Sequence, residues 1–235
     1  MPTLTAADLA TDLSEAAWWD KLSPEIKLAR LEKGDILLKK DVKDYAKYSG
    51  AVVLGQTLFR ATNASKRTVH ATIYVGDGKV AHARHLDTKD MQRVMLTPLQ
   101  DELTKGGFKG IRFVVYRPLK KELGVKAAEL ARAWAERKGK DVIGYSAAHC
   151  LNAIAHSSTY GPDAKARTKK IIETKQPPEP EMMCSEFAVY CYQQDDVENP
   201  YIKLDGKHTA PIRLEEFLNG AEGSKRFAFR GRFRP

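Results

Sequence analysis

The first half of the chain contains short runs rich in apolar residues and bounded by turn signals, which is a pattern typical of β-strands. These runs predict strands at residues 34–38, 69–75, 79–83 and 111–116. The second and third strands are separated by Gly76-Asp77-Gly78, a sequence typical of hairpin turns because glycine and aspartate tolerate positive φ. The pattern therefore predicts an antiparallel sheet that contains a hairpin.

Apolar residues at helical spacing predict helices elsewhere in the chain. One helix is expected around residues 127–134, another begins at Cys184, and Pro211 can open a last short one. Residues 157–180 are polar and basic and end in Pro-Pro-Glu-Pro, so a loop is expected there.

The leading segment also has helical spacing, and no convincing boundary follows it. Leu9 and Leu13 begin an apolar stripe, and Ser23-Pro24 can restart a second short helix. We therefore expect an N-terminal helical extension over residues 1–30 and one domain over residues 31–235.

The composition is that of a globular protein with a basic surface. Of the 235 residues 43% are hydrophobic, and the formal net charge is +9. These values exclude global disorder and suit an anionic polymer or a membrane surface as a partner. No zinc-finger or RNA-recognition motif accompanies the charge, so no specific nucleic acid is expected as a partner.

The start of the chain predicts no targeting signal. Residues 1–20 contain acidic side chains and lack the basic region and apolar run of a signal peptide. No segment approaches the ~20 apolar residues of a membrane span. We therefore expect a protein made in the cytoplasm without a signal peptide, and export through a specialised secretion system stays open.

Cys184 is the candidate nucleophile because it stands where a loop enters a predicted helix. Unpaired N–H groups and the helix dipole at such a position favour a thiolate. A thiol also needs a base, and His70 opens a predicted strand that could aim its imidazole at the helix start. Spacing alone leaves that role open, since a histidine on a strand is often structural. Cys150 and Cys191 are expected to be packing residues.

Three motifs resemble one known superfamily. They are GDIL at residues 34–37, HATIYVGDGKVAH at residues 70–82 and CSEFAV at residues 184–189. In this order they resemble the permuted branch of the NlpC/P60 papain-like superfamily, which includes YiiX-like hydrolases and lecithin:retinol acyltransferase-like proteins. The resemblance implies an α+β, circularly permuted papain-like fold in which an antiparallel sheet packs against the cysteine-bearing helix.

The resemblance also implies roles for individual residues. Cys184 corresponds to the nucleophile, His70 to the base and His82 to the polar residue that orients the base. Tyr145 lies in a stretch similar to one that precedes the family's cysteine helix, so it is expected to line the substrate site. No metal and no cofactor are expected, because the histidines and cysteines form no recognised ligand set.

The hairpin gives an independent reason to choose between two orienting residues. A two-residue loop at Asp77-Gly78 places His85 opposite His70, whereas a three-residue loop places His82 on the face of His70. We expect His82, with His85 and Asp87 as alternatives.

The resemblance implies a cysteine hydrolase that cleaves an amide bond, with a bacterial cell-wall peptide as the expected substrate. Such an enzyme without a signal peptide could be a secreted antibacterial effector, which would make a secretion-system component a partner. The alternatives are a lipid-directed thioesterase, phospholipase or acyltransferase, and a non-catalytic basic binding module.

Overall fold

The computed structural model describes residues 30–40, 68–84, 93–104 and 112–233, and these residues form a mixed α+β structure. Their strands join in one sheet in the order β7-β6-β4-β3-β2-β1-β5-β8. All neighbouring strands are antiparallel except β6 and β7. The strands are β1 (Ile36–Lys40), β2 (Thr68–Gly76), β3 (Lys79–Arg84), β4 (Arg93–Pro98), β5 (Arg112–Pro118), β6 (Gly144–Tyr145), β7 (Glu181–Met182) and β8 (Phe227–Phe233).

Both faces of the sheet are covered by apolar side chains. On one face Ile73 packs with Trp134 and Phe187, which come from two helices. On the other face Leu37, Tyr74 and neighbouring residues form a second cluster. The described helices are α1 (Leu99–Thr104), α2 (Lys121–Ala135), α3 (Ala147–Ala155), α4 (Pro162–Thr174), α5 (Cys184–Cys191) and α6 (Pro211–Asn219).

The strand β1 is positioned by a close approach between two glycines. Gly34 has a φ of 93°, and a Cβ at this position would lie 2.4 Å from the backbone of Gly124 in α2. The next residue, Asp35, is fully buried and paired with Arg117 of β5 at 2.8 Å. Glycine and aspartate at these positions therefore serve the packing of β1 against α2 and β5.

The β2–β3 hairpin has features of both loop lengths that the sequence allowed. Gly76 pairs with Lys79 across a two-residue turn, and a bulge then sets Tyr74 opposite Val80. Gly76, Asp77 and Gly78 all have positive φ, which this tight turn requires. Beyond the bulge the register equals that of the three-residue loop, so His82 lies on the face of His70. The alternatives His85 and Asp87 lie outside the described residues.

The loop expected over residues 157–180 is wrong in part, because α4 occupies Pro162–Thr174. Pro162 opens the helix, and Ala164, Thr168 and Ile171 are buried at helical spacing. The many lysines between them conceal this stripe in the sequence. The helices expected around residues 127–134, from Cys184 and from Pro211 are confirmed as α2, α5 and α6.

The expected N-terminal helical extension lies outside the described residues, apart from Arg30.

Within the described part of the chain, no helix has the length and apolar character required to cross a membrane.

Candidate active site

Cys184 is the first residue of α5, and its neighbours fix the start of that helix. The carboxylate of Glu186 accepts the backbone N–H of Met183 at 3.2 Å, so the third helical residue caps the turn that carries the cysteine. Cys184 is 3% exposed, and Glu186 is fully buried. The thiol is therefore held on a rigid helical turn, close to the surface but largely covered.

The protonation state of Cys184 differs from the thiolate expected from its position. Burial raises the pKa of the thiol to about 12, although the backbone N–H groups of Ala71, Ser185 and Cys184 itself lower it. The N–H groups at the helix start thus act in the expected direction, but desolvation outweighs them. The resting group is a neutral thiol.

His70 and His82 form one continuous polar chain with a threonine. The Nε2 of His70 lies 2.7 Å from the Nδ1 of His82. The other ring nitrogen of His82, Nε2, lies 2.9 Å from the Oγ1 of Thr97 in β4. His82 is fully buried and His70 is partly exposed. Adjacent strands thereby hold two imidazoles in a fixed relative orientation.

Burial and nearby cations keep both imidazoles neutral. Desolvation lowers the pKa of His82 to about 3, and the cations of Arg84 and Lys39 lower it further. Desolvation, His82, Lys39 and Arg84 also lower the pKa of His70 well below its usual value. Lys39 is the cross-strand neighbour of His70 on β1. A neutral His70 retains a lone pair, which is the form that a general base needs.

The thiol of Cys184 lies on one face of the sheet at β2, and the two imidazoles lie on the other face. Ala71 packs in the same apolar cluster as Phe187 of α5, whereas alternation along the strand places His70 on the opposite face. The β2–β3 pairs begin at Ile73 and Ala81 and do not include Ala71 among the described residues. Cys184 therefore lies beside the backbone that immediately follows His70, at a point where the two strands separate.

Among the described residues no hydrogen bond joins His70 to Cys184. The Nε2 of His70 is engaged by His82, which leaves Nδ1 as the nitrogen that could serve the thiol. Catalytic hydrogen bonds commonly tighten only when substrate is bound.

A small pocket lies beside Cys184, with a volume of about 20 Å³. This volume has room for a water-sized group. Tyr145 lies on its wall and its hydroxyl is 2.9 Å from the Sγ of Cys150, so the structure brings Tyr145 together with Cys184. The described lining carries no formal charge and consists of Val69, Tyr145, Cys150, Met183, Cys184, Ala210 and Pro211.

Comparisons with known proteins do not identify the site. No family model, curated protein or solved structure matches the chain. The chemistry of the site is therefore argued from its own geometry. In the described segments no three His, Cys, Asp or Glu side chains lie together as a candidate metal site.

Sequence reasoning missed three polar residues around the site. Thr97 contacts His82, and its strand β4 is itself absent from the predicted strands. His149 of α3 lies 2.8 Å from the carboxylate of Glu186, and the hydrogen bond to Glu186 raises the pKa of this imidazole. A Ser, Thr, Asp or Asn at the capping position with a Glu three residues later is a recognisable signal, but the capping residue here is Met183. Neither Glu186 nor its distant partner His149 is therefore marked in the sequence.

Proposed function

We propose that the chain is a cysteine hydrolase on a permuted papain-like fold, with Cys184 as nucleophile, His70 as base and His82 as the residue that orients the base. The observation that carries this proposal is the meeting of a helix-start cysteine with the strand of a hydrogen-bonded histidine pair. The Sγ of Cys184 interacts with the N–H of Ala71, one residue after His70. His70 in turn contacts His82 at 2.7 Å.

The proposed mechanism starts from a neutral thiol and a neutral imidazole. As Sγ bonds to the carbonyl carbon, the thiol proton passes to Nδ1 of His70. The resulting imidazolium returns that proton to the leaving amine as the C–N bond breaks. Water then attacks the thioester, releases the acid and restores the thiol. The backbone N–H of Cys184 belongs to the unpaired donors of the helix start and can stabilise the oxyanion.

An amide in a bacterial cell-wall peptide is the proposed substrate. The net charge of +9 suits binding to an anionic wall polymer. Tyr145 would then line the side of the scissile bond, since it shares the pocket with Cys184.

A lipid-directed acyl hydrolase or acyltransferase is the second candidate, and the character of the pocket favours it. The described lining is uncharged, which suits an acyl chain, and the volume of about 20 Å³ would have to widen to admit one. Leu151 of α3 follows a pocket residue, Cys150, and is 64% exposed. An exposed apolar side chain on the helix that carries Cys150 could contact a lipid substrate.

Mass spectrometry of reaction products would separate these candidates. The protein is incubated in parallel with purified cell-wall fragments and with phospholipid vesicles, and each product is compared with that of Cys184→Ala. The matched control is Cys191→Ala, which removes a fully buried thiol at the other end of α5. We expect new peptide fragments with the wild type and with Cys191→Ala, but none with Cys184→Ala.

Other outcomes would redirect the assignment. Free fatty acid or transferred acyl groups that depend on Cys184 would replace the amide substrate by the lipid. Equal products from the wild type and Cys184→Ala would exclude Cys184 as the nucleophile. Binding to wall polymer with no product from either substrate would favour the non-catalytic basic module.

A further inference from the structure

The contact between His82 and Thr97 constrains where the protons lie on the ring nitrogens of His82. His82 uses both nitrogens, Nδ1 toward His70 at 2.7 Å and Nε2 toward Thr97 at 2.9 Å. His82 is fully buried and Thr97 is 6% exposed, so water has little access to either contact. A neutral imidazole carries one N–H and one lone pair, and the two contacts of His82 must therefore have opposite donor and acceptor roles.

Two arrangements of protons satisfy this chain. If Thr97 accepts the Nε2–H of His82, the Nδ1 of His82 accepts the Nε2–H of His70, and the Nδ1 of His70 keeps its lone pair. If Thr97 donates instead, every role reverses, and the Nδ1 of His70 carries a proton. Only the first arrangement leaves a base on the nitrogen that is not already engaged by His82.

The charged groups around the pair disfavour a third arrangement, in which one ring is doubly protonated. Lys39 lies opposite His70 on β1, and Arg84 of β3 is paired with Glu102 of α1. These cations oppose further positive charge on either ring. The proton chain therefore consists of two neutral imidazoles and one hydroxyl.

We propose that Thr97 is a positioning residue for the reaction: by accepting the Nε2–H of His82, its hydroxyl fixes the tautomers of both imidazoles and leaves the lone pair of His70 on Nδ1. This inference rests on the proposed function, in which His70 is the base. Thr97 acts through His82 and touches neither the substrate nor the thiol in this role.

The chain offers matched variants for the test. Thr97→Val removes the hydroxyl at nearly constant volume, and Thr97→Ser retains it. Thr72→Val is the control, because Thr72 is also a buried threonine on the face of the two histidines, but its hydroxyl donates to the carbonyl of Leu37. A general effect of deleting a buried hydroxyl would appear in both valine variants.

The first measurement is a long-range ¹H–¹⁵N spectrum of the imidazole nitrogens at neutral pH, which reports the tautomers without any substrate. In the wild type we expect the N–H on Nε2 of both His70 and His82. Thr97→Val should lose the single tautomer of His82, whereas Thr97→Ser and Thr72→Val should keep it. A wild-type His70 with its proton on Nδ1, or spectra unaffected by Thr97→Val, would overturn the proposal.

The second measurement is turnover of the substrate identified above. Thr97→Val should lower kcat by about 10- to 100-fold with little change in KM, and Thr97→Ser should restore it. Equal kcat for Thr97→Val and the wild type would overturn the role in catalysis. If the tautomers are as expected but no turnover depends on Cys184, the arrangement of the imidazoles is supported and the proposed function fails.

Discussion

The backbone of Ala71 lies beside the thiol of Cys184, while the preceding side chain, His70, projects from the other face of β2. The base and the nucleophile of the proposed mechanism are thus neighbours through one peptide unit rather than through a direct hydrogen bond. In the proposed mechanism the proton passes from the thiol to Nδ1 of His70 through the gap where β2 and β3 separate. The Nε2 of His70 stays with His82, which is fully buried.

Substitutions of the two histidines should differ in severity. His70→Ala removes the proposed base and should lower kcat by about 10²- to 10⁴-fold. His82→Ala removes only the partner that orients it, so the loss should be smaller. Steady-state kinetics on the Cys184-dependent substrate gives the ranking. Full activity in His82→Ala would exclude its orienting role, and a large loss in His85→Ala would instead indicate the other histidine considered from the sequence.

Acid should destabilise the folded protein through His82. Burial lowers the pKa of this imidazole to about 3, against 6.5 in an exposed histidine. The unfolded chain therefore binds more protons between these two values, so stability is complete above pH 6.5 and falls as the pH drops toward 3. Urea unfolding of the wild type and His82→Gln across this window tests the linkage. The glutamine variant should show a shallower slope with pH, and an unchanged slope would contradict the burial of a neutral ring.

Several features of the site could be predicted from the sequence because they depend on local chemistry. The start of α5 at Cys184 follows from apolar periodicity after a loop, and the hairpin follows from Gly76-Asp77-Gly78. The sequence allowed two turn lengths for this hairpin, and one of them places His70 and His82 on the same face of the sheet. Each of these features is set by residues close together in the chain.

The remaining features depend on contacts between distant segments. The raised pKa of Cys184 follows from burial among residues of β2 and α3, which no spacing rule reveals. The helix α4 was missed because its lysines conceal three buried positions. Thr97 reaches His82 only through the pairing of β3 and β4. Desolvation and cross-strand contacts are properties of the folded chain.

The close approach of Gly34 to α2 predicts a large difference between two glycine substitutions. Gly34→Ala would combine positive φ with a Cβ 2.4 Å from the Gly124 backbone, and should cost roughly 2–5 kcal/mol of unfolding free energy. Gly78→Ala is the matched control, since it has a φ of 66° but no atom within 4 Å of the added Cβ. It should cost only the backbone term of about 1–2 kcal/mol. Equal losses in denaturant unfolding would refute the close approach.

Alkali should weaken the start of α5 through His149 and Glu186. These side chains lie 2.8 Å apart, and the hydrogen bond to Glu186 raises the pKa of His149 above 6.5 despite its burial and the nearby Lys207. The pair therefore contributes stability that is complete below pH 6.5 and is lost as the pH rises through the raised value.

The test of this pair is the pH dependence of unfolding in Glu186→Gln and His149→Gln. Lys207→Met is the comparison variant, because it leaves the contact in place and should move the decline to higher pH by removing a nearby cation. Both glutamine variants should lose the decline in stability above pH 6.5 that the wild type shows. The Oε1 of Glu186 is buried without a hydrogen-bond partner in the described chain, so an uncharged His149 leaves a buried carboxylate poorly compensated. The protection factors for hydrogen exchange at the first turn of α5 should fall in the same pH range. A wild-type decline that persists in both glutamine variants would assign it to another group.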